Sequence, residues 1–97
     1  MRVETGMATV TKNDRRYEIE VDGTRVGFAD YRVDDGVVTI PRTEVVDAYS
    51  GRGLAGELVR HALDDVRAQG LTVDPACPYV ASWISRHPDY ADLLARR

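Results

Sequence analysis

A glycine-rich segment between a predicted strand and a predicted helix holds the residues best suited to bind an anion. It reads Tyr-Ser-Gly-Arg-Gly-Leu-Ala-Gly over positions 49–56. Glycines let the backbone approach a ligand, and the free amides and dipole of a helix start favour a phosphate or diphosphate. Arg52 can add charge from the side. The candidate phosphate-binding residues are Ser50, Gly51, Arg52, Gly53, Leu54, Ala55 and Gly56.

Two familiar phosphate-binding loops do not fit this segment. A Walker A loop requires Gly-Lys followed by Ser or Thr, which the chain lacks, and a dinucleotide fingerprint would follow the first strand of a parallel sheet. A third interpretation is that the glycines only form a tight turn between strand and helix, because glycine is the usual turn residue. The segment alone leaves that interpretation open.

Cys77 is the single cysteine of the chain and lies between a predicted short strand and a predicted helix. Ligands in open α/β sheets gather beyond the carboxyl ends of strands, and a helix start stabilises a thiolate, so Cys77 is a candidate activated thiol. The alternative is a small core side chain, since free cysteine is among the most buried residue types. One cysteine forms no internal disulfide or cysteine-only metal site, and no metal is expected.

Two other side chains are candidates for proton transfer. Tyr79 could donate a proton to a leaving group or pack in the core. Glu44, on an irregular strand, could act as a general base or lie on a solvated strand face. His61 and His87 have no ligand spacing and are interpreted as surface or helix-end residues.

Strands are the first elements needed to position these residues. The polar segment over positions 1–12 is interpreted as a frayed end that contributes at most a short edge strand. Alternating apolar residues predict a strand over 17–21, a hairpin turn at Asp22-Gly23 and a second strand over 25–33 whose phase changes near Ala29.

A third strand is predicted over 37–46, and it contains a proline at a change of phase. The apolar phase shifts from Val38 and Ile40 to Thr43 and Val45, with Pro41 between them. Because proline cannot donate to a sheet ladder, the sequence predicts a bulge or an unpaired edge with free backbone groups here.

Beyond Gly53 the apolar period becomes helical, and it continues to a stop at Gly70. The apolar face consists of Leu54, Leu58, Val59, Ala62, Leu63 and Val66. A short fourth strand over 71–74 then implies a parallel, right-handed crossover. Pro78 begins a second helix that ends near His87, and a last short helix covers 89–94. We therefore predict a mixed α/β (α+β) domain over 1–97, with three antiparallel strands, one β-α-β unit and C-terminal helices.

Composition limits the function classes. The chain has 97 residues, which suffice for one domain, and 13 basic against 16 acidic side chains give a net charge of −3. This balance disfavours nucleic-acid binding. No apolar run approaches the roughly 20 residues of a membrane helix, and the first ten residues lack a signal-peptide layout. A cytoplasmic protein is expected.

Taken in order, the segments 43–45, 51–55, 75–80 and 83–90 resemble those of the small, single-domain members of the GNAT N-acetyltransferase superfamily. The resemblance covers roughly residues 10–94. It implies a minimal GNAT-like fold and the binding of acetyl-coenzyme A as co-substrate. In the superfamily a glycine-rich loop wraps the diphosphate, and Gly53 and Ala55 match its last two fixed positions. Ser50 stands where arginine or glutamine is usual, which leaves the backbone amides as the main contact.

The resemblance also assigns the strand and the cysteine. In the superfamily a bulged strand pairs its free backbone groups with the pantetheine arm and the acetyl carbonyl, so Thr43, Val45 and Val46 are the candidates for that contact. The family's cysteine corresponds to Cys77 and would lie near the thioester. Arg42 stands where this group often has histidine.

The resemblance implies an acetyl-coenzyme A-dependent transferase that acts on an unidentified amine. Strand amides near Val45 would form the oxyanion hole, an effect worth roughly 3–4 kcal/mol per donor. The amine could attack directly, or the acetyl group could pass first to Cys77, with Tyr79 as the weaker candidate for the acid. The alternative is a non-catalytic acyl-coenzyme A-binding or interaction module. We expect a monomer or weak homodimer, with no nucleic-acid or membrane partner.

Overall fold

The computed structural model of the protein describes residues 8–95, which form one five-stranded sheet with its strands in sequence order. The strands are β1 (Ala8–Lys12), β2 (Arg16–Val21), β3 (Thr24–Asp34), β4 (Val37–Val45) and β5 (Thr72–Asp74). Strands β1 to β4 are antiparallel, and β5 is parallel to β4. The helices are α1 (Leu54–Ala68) and α2 (Pro78–Arg86), with 3-10 turns at Asp47–Tyr49 and Pro88–Leu93. The predicted fold class is confirmed.

Strand β1 adds a fourth antiparallel strand to the three that the sequence predicts. It pairs with β2 from Ala8 opposite Val21 to Lys12 opposite Tyr17. Its residues are exposed except for the half-buried Val10, so it lacks the apolar alternation that reveals a strand. The part of the predicted frayed end before Ala8 lies outside the described residues.

The phase change in β3 lies earlier than predicted. Ile19 is opposite Gly27, whereas Glu20 is opposite Arg25, so Val26 is an extra residue on β3. This bulge places Val26 in the core with 1% exposure. Ala29, where the sequence suggested the change, is a regularly paired and buried residue.

The predicted irregularity in β4 is a β-bulge. Asp30 is opposite Arg42 and Arg32 is opposite Thr39, so one residue of β3 faces two residues of β4, Ile40 and Pro41. Before the bulge the even-numbered positions of β4 are buried, and after it the odd-numbered positions are half-buried. The change of phase read from the sequence is therefore confirmed.

Helix α1 packs across the sheet and α2 packs against β4 and α1. The buried face of α1 contains Leu58, Val59, Ala62, Leu63 and Val66, as predicted, while Leu54 is half-buried. From α2 and the last 3-10 turn the core receives Val80, Trp83, Ile84, Tyr90 and Leu93. Helix α1 thus spans the sheet from β1 to β5, and α2 lies beside β4.

Within residues 8–95, none of the helices has the length and apolar character needed to cross a bilayer. The same residues contain no group of three or more histidine, cysteine or carboxylate side chains arranged to hold a metal ion.

Candidate active site

The edge of β4 beyond the bulge carries free backbone groups. The Val46 amide donates a 2.8 Å hydrogen bond to the Val26 carbonyl on β3. Because successive backbone groups of a strand point to opposite edges, the amides of Thr43 and Val45 point away from β3. Strand β5 pairs with β4 only as far as Thr39 opposite Asp74, so among the described residues no strand covers this edge.

The hydroxyl of Thr43 is unsatisfied beside this edge. Among the described residues, Thr43 Oγ1 is the one buried side-chain nitrogen or oxygen without a hydrogen-bond partner. A buried hydroxyl left unpaired costs about 1–3 kcal/mol, a cost that is recovered if the side chain turns toward a ligand at the edge. The family resemblance assigned a backbone contact to Thr43, whereas the structure singles out its unpaired side-chain hydroxyl.

The glycine-rich segment forms an open helix start. Gly51 and Gly53 have φ angles of 80° and 79°, which side-chain-bearing residues rarely adopt. The first backbone bond of α1 runs from the Glu57 amide to the Gly53 carbonyl at 3.1 Å, and no side chain caps the helix. The preceding amides, those of residues 54–56, therefore have no acceptor within the helix. They can donate to an anion.

A cleft of about 280 Å³ joins the helix start to the strand edge, and we call it the α1 cleft. Its lining residues are Val45, Tyr49, Ser50, Gly51, Gly53, Leu54, Ala55, Gly56 and Tyr79. All except Tyr49 are sequence-predicted site residues, so the structure brings the loop, the strand and α2 together. Tyr79 is 37% exposed and belongs to the cleft wall.

Gly56 allows α2 to approach this wall. A Cβ atom at Gly56 would lie 3.3 Å from Trp83 Nε1 and 3.7 Å from the Tyr79 hydroxyl. The glycine therefore helps to place the Tyr79 side chain beside the first turn of α1. The sequence assigned Gly56 to the phosphate loop, and the structure gives it this packing role as well.

Tyr49 is the lining residue that the sequence analysis missed. It ends the 3-10 turn Asp47–Tyr49, and the guanidinium carbon of Arg52 lies 4.8 Å from the centre of its ring. Arg52 itself is exposed and does not line the cleft. The available signal was an aromatic residue three positions before the only cation of the loop.

Cys77 lies in the core instead of on the cleft wall. It is 6% exposed and is not among the residues that line the α1 cleft. Its amide donates a 2.9 Å hydrogen bond to the Ile40 carbonyl, and its carbonyl accepts one from the Ala81 amide at 3.1 Å. This burial agrees with the alternative of a small core side chain.

Glu44 and Val46 border a different cleft. This β3–β4 cleft has a volume of about 380 Å³, and its lining residues are Arg25, Val26, Gly27, Phe28, Glu44, Val45, Val46 and Asp47. The Glu44 carboxylate is exposed and accepts hydrogen bonds from Arg42 at 2.6 and 2.7 Å. Val45, at the end of β4, lines both clefts.

The backbone of Val46 departs from its predicted role. Its amide is bonded to Val26, and its carbonyl accepts a 2.9 Å hydrogen bond from the Tyr49 amide. Neither group is free to pair with a ligand, which leaves Thr43 and Val45 as the strand residues with open amides. The correction follows from the turn that begins immediately after β4.

Neither histidine belongs to the α1 cleft. His61 lies on the exposed side of α1, 3.6 Å from the Glu57 carboxylate. The His87 ring stacks on Trp83 at 3.8 Å between ring centres, and its Nδ1 lies 2.7 Å from the Trp83 carbonyl oxygen. Both histidines have the surface and helix-end positions that the sequence predicts.

Comparison with known proteins identifies the family of this chain. A family model described as GCN5-related N-acetyl-transferase matches residues 16–93. The chain belongs to this family. Among its relatives, protein NATD1 of Homo sapiens is 32% identical over 92 residues, covering 89% of this chain and 80% of that protein. Protein NATD1 of Danio rerio is 30% identical, with 86% and 79% covered.

Solved structures of the GCN5-related N-acetyltransferase family share the fold. A GCN5-like protein from Staphylococcus aureus has a TM-score of 0.72 at 19% identity, covering 92% of this chain and 89% of that one. A GNAT acetyltransferase from Brucella melitensis, solved in complex with acetyl-CoA, has a TM-score of 0.57 at 21% identity, with 70% and 50% covered. At these identities the likeness establishes the fold.

Proposed function

We propose that this protein transfers the acetyl group of acetyl-coenzyme A directly to an amine. The observation that carries the proposal is the α1 cleft, which connects uncapped helix amides to the free edge of β4. The family and the acetyl-CoA complex of a neighbour support this choice of co-substrate. When bound, acetyl-coenzyme A supplies an activated thioester.

The residues of the α1 cleft and of the adjoining β4 edge fit the two chemical parts of this co-substrate. The amides of residues 54–56, with Gly51 beside them, are placed to bind a diphosphate, because they are donors without acceptors inside the helix. The Thr43 amide matches an amide group of a pantetheine arm laid along β4 as an additional strand, which leaves the Val45 amide for the acetyl carbonyl. The unsatisfied Thr43 hydroxyl gains a partner when its side chain turns from this buried position toward the arm.

Direct transfer requires three tasks of the chain. The amine nitrogen attacks the acetyl carbon, so that a C–N bond forms while the C–S bond breaks. The Val45 amide donates to the carbonyl oxygen as negative charge develops there. The Tyr79 hydroxyl, on the cleft wall, gives its proton to the departing sulfur, and the phenolate then takes up a proton from water. The proton released by the amine passes to water or to Glu44. The amine enters on the side of β4 where Glu44 lies.

Cys77 has no chemical step in this proposal. A relay through a thiol requires that its sulfur reach the acetyl carbon, and Cys77 is 6% exposed within the core. Its contribution is packing at the start of α2 and the backbone bond to Ile40. The acceptor enters instead through the β3–β4 cleft, which shares Val45 with the α1 cleft.

The deciding experiment couples binding to turnover. Calorimetry with acetyl-coenzyme A is followed by incubation with a panel of primary amines, in which thiol release and acetylated product are both measured. We expect equal amounts of the two. Binding without turnover would favour the non-catalytic module, and no binding would leave a domain without an assigned function.

A pair of matched variants ties the result to the strand edge. Thr43→Val removes the unsatisfied hydroxyl, while Thr39→Val makes the same change on β4 before the bulge, opposite Arg32. We expect Thr43→Val to weaken binding of acetyl-coenzyme A by about threefold to tenfold, the effect of about one hydrogen bond. Thr39→Val is expected to bind as the unaltered protein does.

A further inference from the structure

We propose that Tyr49 is a positioning residue that holds the Arg52 guanidinium at the mouth of the α1 cleft, where it contacts the coenzyme diphosphate. The inference rests on the proposed function and extends it. Arg52, held against the Tyr49 ring, supplies the positive charge of the anion site, and it replaces the arginine or glutamine that is usual at position 50.

Arg52 is available for an anion. It is the only cationic side chain between Asp47 and Gly56. Within residues 8–95 no carboxylate lies at ion-pair distance from it, whereas Arg16, for example, has its carboxylate partner at 2.8 Å. Its contact is the face of the Tyr49 ring, 4.8 Å from the guanidinium carbon. A contact with a ring face leaves the guanidinium N–H donors free for phosphate oxygens.

Tyr49 is fixed well enough to position a partner. Its amide donates a 2.9 Å hydrogen bond to the Val46 carbonyl, and its ring packs against the hydrophobic core while also lining the α1 cleft. The ring is therefore a half-buried platform between the strand end and the helix start. A long arginine side chain resting on it loses less freedom on binding an anion than one extended into solvent.

Ser50 cannot supply this charge. Its amide and its hydroxyl both donate to the Asp47 carbonyl, at 3.1 and 2.9 Å, so the side chain is folded back onto the preceding turn. The loop thus has neither charge nor a free hydroxyl donor at position 50. The nearest cation is Arg52, and the residue that determines its direction is Tyr49.

The test compares coenzyme A with acetyl-pantetheine, which lacks the diphosphate. Dissociation constants are measured by calorimetry for the unaltered protein, Arg52→Ala, Tyr49→Ala, Tyr49→Phe and the double variant Tyr49→Ala/Arg52→Ala. Loss of the charge–phosphate contact is expected to weaken coenzyme A binding about tenfold to 30-fold in Arg52→Ala. Tyr49→Ala is expected to weaken it about threefold to tenfold, since arginine then samples more orientations. Acetyl-pantetheine affinity should stay unchanged in Arg52→Ala.

Two comparisons separate positioning from wall packing. If Tyr49 acts through Arg52, the double variant binds coenzyme A about as weakly as Arg52→Ala, and Tyr49→Phe, which keeps the ring, recovers most of the affinity lost in Tyr49→Ala. Additive losses, or an equal loss for acetyl-pantetheine, would overturn the inference. Arg32→Ala, an exposed arginine on β3, controls for the loss of one charge.

A rescue and a failure criterion complete the test. Ser50→Arg in the Arg52→Ala background restores the side chain usual at this position and is expected to recover coenzyme A affinity, which shows that charge was the missing contribution. Coenzyme A binding that is unaffected by both Arg52→Ala and Tyr49→Ala would overturn this inference alone. No binding by the unaltered protein would overturn the proposed function together with it.

Discussion

The amide of Cys77 donates a 2.9 Å hydrogen bond to the carbonyl of Ile40 and so joins the start of α2 to the bulge of β4. The ladder between β4 and β5 ends at Thr39 opposite Asp74, one residue before Ile40. The next residue, Pro41, has no amide to donate. The point where the two strands part is therefore built from the Cys77 backbone, the bulge and a proline.

This arrangement predicts a small effect of Cys77→Ala on acetyl transfer. The substitution keeps the backbone bond and removes a buried sulfur, which we expect to lower the free energy of unfolding by about 1 kcal/mol. The kcat/KM value for acetyl transfer should change by less than about threefold, because the proposed mechanism routes no bond through the thiol. Denaturant unfolding and steady-state kinetics measure the two quantities. Loss of turnover with intact folding and coenzyme A binding would instead establish a relay through Cys77.

Tyr79→Phe should separate chemistry from binding. The variant keeps the ring on the cleft wall and removes the proposed proton donor, so we expect kcat to fall by at least about tenfold to 100-fold while the dissociation constant of acetyl-coenzyme A is nearly unchanged. The matched control is Tyr31→Phe, whose hydroxyl donates to the Asn13 carbonyl at 2.6 Å, away from both clefts. Full turnover in Tyr79→Phe would assign sulfur protonation to water.

Gly27→Ala should disturb the site through the neighbouring strand. A Cβ atom at Gly27 would lie 2.8 Å from the Glu44 carbonyl oxygen and 2.9 Å from Val45 Cγ2, closer than real contacts allow. The strand end must shift, which we expect to cost about 1–3 kcal/mol of stability and to weaken acetyl-coenzyme A binding, because Val45 moves.

A second glycine provides the control for this effect. Gly36 has a φ of 79°, and no heavy atom of the described residues beyond its chain neighbours lies within 4 Å of the place that a Cβ atom would take. Gly36→Ala therefore strains the β3–β4 turn without pressing on Val45. We expect it to lower the melting temperature and to leave binding unaffected. Equal binding losses in the two variants would show that the loss follows from general destabilisation.

The sequence predicted the bulge because two independent local signals coincided at one place. Pro41 removes a ladder donor, and the apolar phase shifts from Ile40 to Thr43. The open helix start after Gly53 was predictable for a similar reason, since glycine and the amphipathic period mark it directly. Both features are determined by neighbouring residues in the chain, and so they can be read from it.

The features that were not predictable depend on contacts between distant segments. β1 is recognisable only once β2 pairs with it, since its own residues are almost all exposed. Cys77 starts a helix, but its burial results from the packing of α2 against β4. Tyr49 lines the α1 cleft because the turn after β4 places its ring there. The spacing of residues along the chain does not reveal these contacts between distant segments.

Asp65 links β1 and β2 to α1, and its ionisation should make stability depend on pH. Its Oδ2 atom accepts hydrogen bonds from Lys12 Nζ and the Tyr17 hydroxyl, both at 2.7 Å, and from Gln69 Nε2 at 2.8 Å. Burial acts to raise the pKa of Asp65, but the hydrogen bonds from Lys12 and Tyr17, with the Lys12 charge and the Gln69 bond, outweigh it and lower the pKa below its usual value.

The sign of the pH effect follows from that direction. A carboxyl whose pKa is lower in the folded state stabilises the fold when the pH is above its unfolded pKa of about 4. This contribution is lost as the pH falls through the folded pKa. Asp65→Asn is therefore expected to be less stable than the unaltered protein at pH 7 by about 1 kcal/mol, with the difference shrinking below about pH 4. Denaturant unfolding at a series of pH values measures this difference.

The opposite end of the pH range tests the same network through Tyr17. Burial first, and then the hydrogen bond to Asp65 and its charge, raise the pKa of Tyr17 well above its usual value. A phenol with a raised pKa stabilises the fold below its unfolded pKa of about 10, and that contribution is lost as pH rises through the folded pKa. Tyr17→Phe should reduce the fall in the free energy of unfolding at alkaline pH. Asp34→Asn changes an exposed carboxylate at the end of β3 and serves as the control variant. If the free energy of unfolding of Asp65→Asn falls as steeply at acidic pH as that of the unaltered protein, the acid dependence arises elsewhere in the chain.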